Sequence, residues 1–236
     1  MALRTLVVIP AYNEQDSIKA TVESVIAAGF DYVVVNDGST DSTLEICRCN
    51  GFNVLDLEQN LGIGGAVQAG HRYALMHGYD VDVQFDGDGQ HDVRCIPMLL
   101  EKIEEGFDLV IGSRFLEWNL DNFQSTFMRR VGIKWISTLI RAVTGSRVTD
   151  PTSGFRASGK SSIKLFAYDY PADYPEPESI VDSIQHGLKV GEVSVLMHPR
   201  QGGESSIRPL SSVYYMLKVT LAILIMAAPG RGKKRG

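Results

Sequence analysis

The stretch Val81–His91 reads VDVQFDGDGQH, and the interpretation of the whole chain starts from it. Its apolar residues alternate with polar ones as far as Phe85, which is the pattern of a β-strand. The strand leads into Asp86-Gly87-Asp88, where two carboxylates one residue apart can converge on a hard cation such as Mg²⁺ or Mn²⁺. The alternative is an ordinary polar β-turn, because Asp and Gly are common turn residues. A three-residue motif is weak evidence, so the surrounding sequence decides between the two.

The composition is that of a globular protein with one large α/β domain or two small ones. The chain has 236 residues, of which 44% are hydrophobic and 22% charged, and its formal net charge is -5. This balance gives no indication of nucleic-acid binding. The three cysteines have no paired metal spacing, and their odd number argues against a disulfide framework. We therefore expect reduced thiols in a cytosolic protein, with no signal peptide.

Strand and helix patterns alternate over the first ~115 residues, which predicts a mostly parallel sheet with helices on both faces. Ligands of such sheets bind beyond the carboxyl ends of the strands. Acidic or glycine-rich turns follow these predicted strands, so we expect Asp37, Asp86 and Asp88 to face one crevice. The predicted strands are Thr5–Ile9, Tyr32–Val35, Asn53–Leu57, the strand at Val81 and Leu109–Ile111, and the predicted helices are Glu14–Ala28, Ser42–Cys49, Ala66–His77 and Ile96–Ile103.

The pattern changes after Arg114, where longer loops separate the predicted elements. The prediction there is a loop over Phe115–Gln124 with exposed Trp118 and Phe123, a helix over Phe127–Val143, a turn and short strand after Asp150, a loop over Tyr168–Pro177, a helix over Glu178–His186, a strand over Lys189–His198 and a polar loop over Arg200–Arg208.

Side chains at the strand ends have the chemistry to hold a nucleotide. Tyr12 could stack on a base, and Glu14 could accept hydrogen bonds from a base or ribose. The alternative is a strand-to-helix turn capped by Asn13. Asp37 could read a base or ribose edge, or it could cap the next helix.

Four further residues are candidates for the reaction itself. Arg114 and Arg200 could clamp a diphosphate, because a guanidinium binds phosphate in bidentate fashion, or they could be solvated surface charges. Glu176 or Glu178 could be a general base for an acceptor hydroxyl, or could satisfy the N-terminal dipole of a helix.

Two other features have a functional and a structural interpretation. The segment Gly62–Gly65 could receive a phosphate on its backbone N–H groups, although its spacing matches neither the dinucleotide fingerprint nor a P-loop. His91 and His198 could contact metal or phosphate, or could be structural hydrogen-bonding histidines.

The C-terminal segment is apolar and is followed by basic residues. Val213–Ala228 is interrupted only by Lys218 and is short for a membrane-spanning helix. An apolar helix flanked by basic residues is typical of an interfacial anchor on an anionic membrane, and the alternative is a core or homodimer helix. We therefore divide the chain into a domain over residues 1–210 and an apolar helix with a basic tail over 211–236. The basic residues of the tail are Arg231, Lys233, Lys234 and Arg235.

Six motifs in order resemble the family 2 glycosyltransferases of the GT-A fold, a single Rossmann-like α/β domain. The motifs are VVIPAYNE (Val7–Glu14), VNDGSTDST (Val35–Thr43), NLGIGGAVQAG (Asn60–Gly70), FDGDGQHD (Phe85–Asp92), GSRF (Gly112–Phe115) and DPTSGFRA (Asp150–Ala157). Within this family the sequence is most similar to the branch of dolichol- and polyprenyl-phosphate sugar synthases and related bacterial transferases. Its most specific marker for that branch is DPTSGFR.

The resemblance implies an inverting transfer of a sugar from a nucleotide diphosphate donor, assisted by Mg²⁺ or Mn²⁺, to a lipid-linked polyprenyl-phosphate acceptor at the cytoplasmic membrane face. Family frequency favours a UDP-sugar as the donor. The implied nucleotide-sugar-binding residues are Pro10, Ala11, Tyr12, Glu14, Asp37, Asp86, Gly87, Arg114 and Arg200, the implied metal-binding residues are Asp86, Asp88 and Gln90, and the implied catalytic residues are Asp88, Asp150 and Glu178.

Other activities remain as alternatives at this point. If the acceptor is a hydroxyl of a growing glycan, a carboxylate must take its proton, and we favour Glu178 for that role. A sugar nucleotidyltransferase would need a glycine-rich N-terminal loop with Arg or Lys, which the chain lacks. A non-catalytic nucleotide-sugar-binding module is the alternative outside enzymes.

Overall fold

The computed structural model of the chain describes residues 3–116, 127–198 and 209–227. Within these ranges, seven strands and eight helices form one α/β domain, which confirms the predicted fold class. The strands are β1 (Thr5–Ala11), β2 (Asp31–Asp37), β3 (Val54–Leu57), β4 (Val81–Gln84), β5 (Leu109–Ser113), β6 (Arg156–Gly159) and β7 (Val190–Ser194). The helices are α1 (Ile18–Ala27), α2 (Thr43–Cys49), α3 (Gly62–Met76), α4 (Ile96–Glu104), α5 (Phe127–Thr144), α6 (Lys160–Tyr168), α7 (Pro175–Gln185) and α8 (Pro209–Ala227).

The strands form a single sheet in the order β3-β2-β1-β4-β6-β5-β7. All neighbouring pairs are parallel except those of β6, which runs antiparallel to both β4 and β5. The carboxyl ends of β1, β2, β4 and β5 therefore lie at one edge of the sheet. The predicted mostly parallel sheet is confirmed, and the candidate residues that follow these strands meet at this edge.

The central strand β4 has two chemically different faces, and both are buried. Val83 and Phe85 pack into the apolar core below α1 and α4. The opposite face carries Asp82 and Gln84, which are 1% and 4% exposed. Asp82 lies 2.7 Å from Nδ1 of His71 on α3. The alternation seen in the sequence thus places an apolar core on one side of β4 and a buried polar layer on the other.

A second apolar core lies under α5, α7 and α8. Its fully buried members are Leu109, Ile111, Ile136, Ile140, Val148, Phe166, Ile180, Val181, Val219 and Ile223. Each large apolar side chain buried in this way contributes roughly 1.5–3 kcal/mol to folding. Because Val219 and Ile223 belong to it, α8 packs on the domain. Among the helices that the structure describes, none is both long and apolar enough to span a membrane.

Two predicted elements differ in the second half of the chain. The loop predicted over Tyr168–Pro177 is wrong at its end, because α7 already begins at Pro175. Proline is favoured in the first turn of a helix, where its missing N–H has no partner to lose. The sequence pattern also gave no prediction for α6, and the strand predicted over Lys189–His198 is limited to β7.

Helix α3 starts at Gly62, four residues earlier than predicted. A Cβ on Gly64 would lie 2.3 Å from the carbonyl oxygen of Pro171, so this glycine allows α3 to pack closely against another part of the backbone. This packing accounts for Gly64 without a phosphate.

The loops predicted around Trp118 and Phe123 and over Arg200–Arg208, as well as the basic residues after Ala228, lie outside the described residues.

Candidate active site

The turns that follow β1 and β2 are joined by Asn13, the single described non-glycine residue with a positive φ, 57°. Its Oδ1 accepts hydrogen bonds from the backbone N–H of Thr40 at 2.8 Å and of Asp41 at 3.3 Å, and its own N–H donates to Oγ of Ser39 at 3.0 Å. Asn tolerates the left-handed region better than most residues. We call these two segments, residues 12–16 and 38–42, the exposed turns.

The predicted nucleotide residues of this region lie close to the exposed turns. Tyr12 is 48% exposed, as a stacking residue would need to be. The backbone N–H of Glu14 donates to Oγ1 of Thr43 at 2.8 Å, and its carboxylate accepts a hydrogen bond from Ser17. Asp37 is buried and accepts a hydrogen bond from the N–H of Leu61 at 2.7 Å. It therefore holds the start of α3 and does not cap α2, and its role toward a nucleotide stays a prediction.

The Asp86-Gly87-Asp88 turn lies directly against the end of β1. A Cβ on Gly87 would come within 3.2 Å of the carbonyl oxygen of Pro10 and 3.6 Å of the Ala11 side chain, so the glycine permits this close approach. Oγ1 of Thr21 donates to the carbonyl oxygen of Gly87 at 3.3 Å. The turn that carries the two carboxylates is therefore fixed beside the predicted nucleotide residues Pro10 and Ala11.

Asp86 is held by the side chains of Gln84 and His91. Nε2 of Gln84 donates to its Oδ1 at 3.2 Å, and the backbone N–H of Asp86 donates to Nδ1 of His91 at 3.0 Å. The neutral His91 ring then carries its proton on Nε2, which lies 3.5 Å from Oδ2 of Asp86. Burial lowers the pKa of His91, although the charges of Asp86 and Asp88 oppose this. His91 is therefore a structural residue in this conformation.

The donor groups of the turn fit a divalent cation that arrives with phosphates. The Asp86 side chain is 33% exposed, whereas Asp88 is buried and accepts a hydrogen bond from the N–H of Gln90 at 3.0 Å. Among the described residues, no group of three or more His, Cys, Asp or Glu side chains could hold a metal. Mg²⁺ sites typically use one or two carboxylates together with substrate phosphates, so two carboxylates are a sufficient protein contribution.

Arg114 and Asp150 bind each other in the interior. Nε and Nη2 of Arg114 donate to the two carboxylate oxygens of Asp150 at 2.6 and 2.7 Å, and the side chains are 6% and 0% exposed. The backbone N–H groups of Thr149 and Asp150 in turn donate to the carboxylate of Glu192 on β7, whose pKa is raised by burial. The sequence assigned Arg114 and Asp150 to separate roles, whereas the structure pairs them.

Arg156 fixes the loop over residues 150–155, which we call the buried loop. Its guanidinium is almost fully buried and donates to the carbonyl oxygens of Ser153 at 2.6 Å and Pro151 at 3.2 Å. The same group donates at 2.8 Å to the carbonyl oxygen of Glu176 and to Oγ of Ser179. Burial lowers the pKa of Arg156. One buried cation thus connects the buried loop to the start of α7.

Glu176, in the first turn of α7, has a carboxyl group with a raised pKa. Desolvation by the surrounding protein raises its pKa, the positive charge of Arg156 opposes this, and the nearby carboxylate of Asp86 adds to the rise. The residue as a whole is only half-buried, as is Glu178 one position beyond Pro177. Sequence reasoning favoured Glu178 as a base, and the raised pKa of Glu176 beside the carboxylate of Asp86 keeps Glu176 as a candidate as well.

The remaining candidates are placed as follows. His198 donates its backbone N–H to the carbonyl oxygen of Gln90 at 2.8 Å, and its Nε2 lies 3.3 Å from Oδ2 of Asp92. The chain after β7 therefore returns to the Asp86-Gly87-Asp88 turn, which we call the carboxylate turn. Arg200 lies outside the described residues.

Sequence reasoning missed Gln84, Glu192 and the structural role of Arg156. Gln84 could have been noticed as a polar residue inside a strand expected to be buried, and Arg156 as the basic residue of the DPTSGFR motif. Glu192 contacts Asp150 over 42 residues of sequence, and no local pattern indicates that contact.

Comparison with known proteins identifies the family of the chain. The sequence model described as glycosyl transferase family 2 matches residues 6–166. The chain is 31% identical over 228 residues to polyprenol monophosphomannose synthase of Mycolicibacterium smegmatis, covering 92% of this chain and 85% of that protein. It is also 31% identical over 210 residues to UDP-N-acetylglucosamine--dolichyl-phosphate N-acetylglucosaminyltransferase of Methanococcus voltae, covering 80% of this chain and 83% of that protein.

The fold is similar to that of a solved structure. Glucosyl-3-phosphoglycerate synthase from Mycobacterium tuberculosis, in complex with Mn²⁺, uridine diphosphate and phosphoglyceric acid, superposes with a TM-score of 0.73 at 21% identity, covering 98% of this chain and 81% of that one. This likeness confirms the predicted GT-A fold. Together with the family match and the two relatives, it shows that the chain is a glycosyltransferase and belongs to glycosyl transferase family 2.

Proposed function

We propose that this enzyme transfers a sugar, with inversion, from a nucleotide diphosphate donor to a polyprenyl-phosphate-type lipid acceptor at the cytoplasmic face of a membrane. The observation that carries the donor side is the contact of the Asp86-Gly87-Asp88 turn with the end of β1 at Pro10. Two carboxylates and the predicted nucleotide residues share one edge of the sheet. The names of the two relatives support the lipid phosphate as acceptor.

In this proposal the exposed turns, together with Asp37 at the end of β2, hold the nucleoside. Tyr12 stacks on the base, and Glu14 and Asp37 accept hydrogen bonds from base or ribose. Asn13 keeps the two turns in register, because three hydrogen bonds connect it to residues 39–41. We favour a UDP-sugar, and a thermal-shift panel of UDP-, GDP- and dTDP-sugars with Mg²⁺ or Mn²⁺ would identify donor and cation together.

Asp86 and Asp88, with Gln90, would hold the divalent cation. When bound, the cation offsets the negative charge that builds on the departing nucleoside diphosphate. Gln84 and His91 keep Asp86 in place for this task. The phosphate oxygen of a lipid acceptor is already anionic, so the bond to the sugar can form without a general base.

The acceptor side is the buried loop with Arg114, Arg156 and the start of α7. Asp150 orients Arg114, and the two guanidinium groups place positive charge beside the carboxylate turn. Such charge suits an acceptor phosphate. Arg200 would add a further cation from the segment after His198.

The test is a transfer assay with polyprenyl phosphate and radiolabelled nucleotide sugar. The variant Asp88→Ala is expected to lower the turnover about 10²–10³-fold, since it removes a preorganised group at the developing charge. Glu101→Ala, an exposed carboxylate on α4, serves as the matched control and should keep normal activity. Retention of activity in Asp88→Ala, or absence of nucleotide-sugar binding by calorimetry, would contradict the proposal.

A second candidate is transfer to a hydroxyl of a growing lipid-linked glycan, and the raised pKa of Glu176 favours it. A hydroxyl acceptor needs a general base, and a carboxyl group with a raised pKa is a better proton acceptor near neutral pH. Glu176→Gln and Glu178→Gln should be compared on polyprenyl phosphate and on a lipid-linked saccharide. If either variant loses transfer only to the saccharide, that residue is the base and the second candidate is correct.

A further inference from the structure

Helices α5 and α8 present six exposed apolar side chains, which we call the α5–α8 face. They are Val131, Trp135, Leu217, Leu221, Leu224 and Ile225, and they are between 48% and 66% exposed. On α8 the leucines recur at intervals of four and three residues, so they form one stripe along the helix. The core-facing residues Val219 and Ile223 lie on the other side of the same helix. A contiguous apolar surface of this kind marks an interaction site.

The two helices lie side by side and run in the same direction. Nε1 of Trp135 donates to Oγ1 of Thr220 at 3.0 Å. A Cβ on Gly132 would lie 3.2 Å from Sδ of Met216. Gly132 precedes Trp135 on α5, and Met216 precedes Thr220 on α8, so the two contacts follow the same order along both helices. The exposed residues of both helices thus belong to one continuous surface.

The charge of this surface is opposite to that of the chain as a whole. Neither α5 nor α8 contains Asp or Glu, although the formal net charge of the chain is -5. The basic residues of the two helices are Arg129, Arg130, Lys134, Arg141 and Lys218. Those with described side chains, from Arg130 to Lys218, are all exposed. Apolar and basic residues together match the interface of a bilayer that contains anionic lipids.

One end of the α5–α8 face lies at the same end of the molecule as the candidate active site. The first turn of α7 lies beside the candidate active site, since Arg156 donates a hydrogen bond to the carbonyl oxygen of Glu176. At the other end of α7, Nε2 of Gln185 donates to the carbonyl oxygen of Met226 near the end of α8. The N-terminal end of α8 therefore points toward the site, and a surface that contacts α5 and α8 also lies beside the acceptor side.

We propose that the α5–α8 face docks on the surface of an anionic bilayer and holds the acceptor side of the site beside the lipid phosphates, an orientation that rests on the proposed function. A second copy of the chain is a less favourable partner for the α5–α8 face. Symmetric pairing would bring basic residues of both copies into one interface to which neither helix contributes Asp or Glu, and like charges across an interface are unfavourable.

The test is co-sedimentation of the full chain with vesicles that contain no acceptor. Vesicles of phosphatidylcholine with phosphatidylglycerol should bind the protein at least about tenfold more tightly than phosphatidylcholine alone, and added salt should weaken this binding. Leu217→Glu/Leu221→Glu should weaken it by about a hundredfold, because two carboxylates replace apolar contacts with the bilayer. The matched control is Met76→Glu on α3, at a residue that is 81% exposed, and it should bind like the wild type.

Equal binding of the double variant and the wild type, or no binding of the wild type to anionic vesicles, would overturn the inference. So would light scattering that shows a wild-type dimer and a monomeric double variant, since the face would then be a dimer interface. Transfer to polyprenyl phosphate in detergent micelles separates this inference from the proposed function. Micellar transfer without vesicle binding refutes only the docking, whereas vesicle binding without micellar transfer refutes only the proposed acceptor.

Discussion

The exposed turns and the buried loop flank the same carboxylate turn but are held together by different forces. The exposed turns are joined by hydrogen bonds between the neutral side chain of Asn13 and backbone groups at the surface. The buried loop is joined by guanidinium groups of Arg114 and Arg156 that are removed from water. Surface hydrogen bonds contribute little individually, whereas a buried charge that loses its partner is strongly unfavourable. The loop should therefore tolerate much less change than the turns.

The largest effect is expected for Asp150→Ala, which leaves the guanidinium of Arg114 buried without its carboxylate. Removing one partner of a buried ion pair typically costs about 3–5 kcal/mol, so the free energy of unfolding should fall by about that amount. Urea denaturation followed by circular dichroism measures it. The double variant Arg114→Met/Asp150→Leu removes both charges and should recover a large part of the loss. If Asp150→Ala costs less than about 1 kcal/mol, the contrast between the two regions is wrong.

A smaller effect is expected in the exposed turns for Asn13→Ala. The variant loses the hydrogen bonds that Oδ1 of Asn13 accepts from the backbone N–H groups of Thr40 and Asp41, and it places alanine at a φ of 57°. Together these changes should cost about 2 kcal/mol. Asn13→Gly accepts this backbone conformation and should cost about half as much. Both values come from urea denaturation, and the KM for the nucleotide sugar should rise in both variants. Equal stability of the two variants would show that the backbone conformation contributes nothing.

Glu176→Gln should stabilise the protein at neutral pH. The pKa of Glu176 is raised in the folded state, so its protonated form is favoured there and stability is lost as the pH rises through that pKa. Glutamine resembles the protonated form and should raise the Tm by about 2–4 °C at pH 8, the shift expected for ~1 kcal/mol in a domain of this size. The gain should disappear below a pH of about 4.3, the pKa of a free glutamate. A gain that does not depend on pH would contradict this account.

The smallest effect is expected for Arg48→Ala. Nη2 of Arg48 lies 2.9 Å from Oδ2 of Asp56, and the side chains are 63% and 35% exposed. An exposed ion pair of this kind contributes at most about 0.5–1 kcal/mol, so the midpoint of urea denaturation should hardly change. A cost close to that of Asp150→Ala would show that exposure does not decide the strength of ion pairs in this protein.

The sequence predicted well what depends on local pattern. Strands β1 to β5 and the helices between them follow from short apolar runs separated by Gly, Pro, Asn and Asp. The position of Asp37, Asp86 and Asp88 at one edge followed from the parallel arrangement alone. The family was identified from six ordered motifs, and the match over residues 6–166 confirms it.

The features that the sequence did not predict depend on contacts between residues that lie far apart along the chain. Strand β6 is inserted antiparallel between β4 and β5, and its four residues carry no pattern that would indicate this position. The pairing of Arg114 with Asp150 and the contact of Arg156 with Glu176 arise only after β6 and α7 are in place. Sequence reasoning therefore named these residues without knowing their partners. Its preference for Glu178 over Glu176 as a base stays a prediction.

The position of β6 also has a consequence for how the protein is made on the ribosome. Strands β1 to β4 can pair as soon as they are synthesised, but the outer edge of β4 then waits for residues 156–159, about 70 residues later. At 5–20 residues per second this delay is on the order of 4–14 s. An uncovered strand edge invites pairing with other nascent chains, and polar residues discourage such aggregation. Asp82 and Gln84 would thus protect the unfinished sheet during translation, before they become part of its buried polar layer.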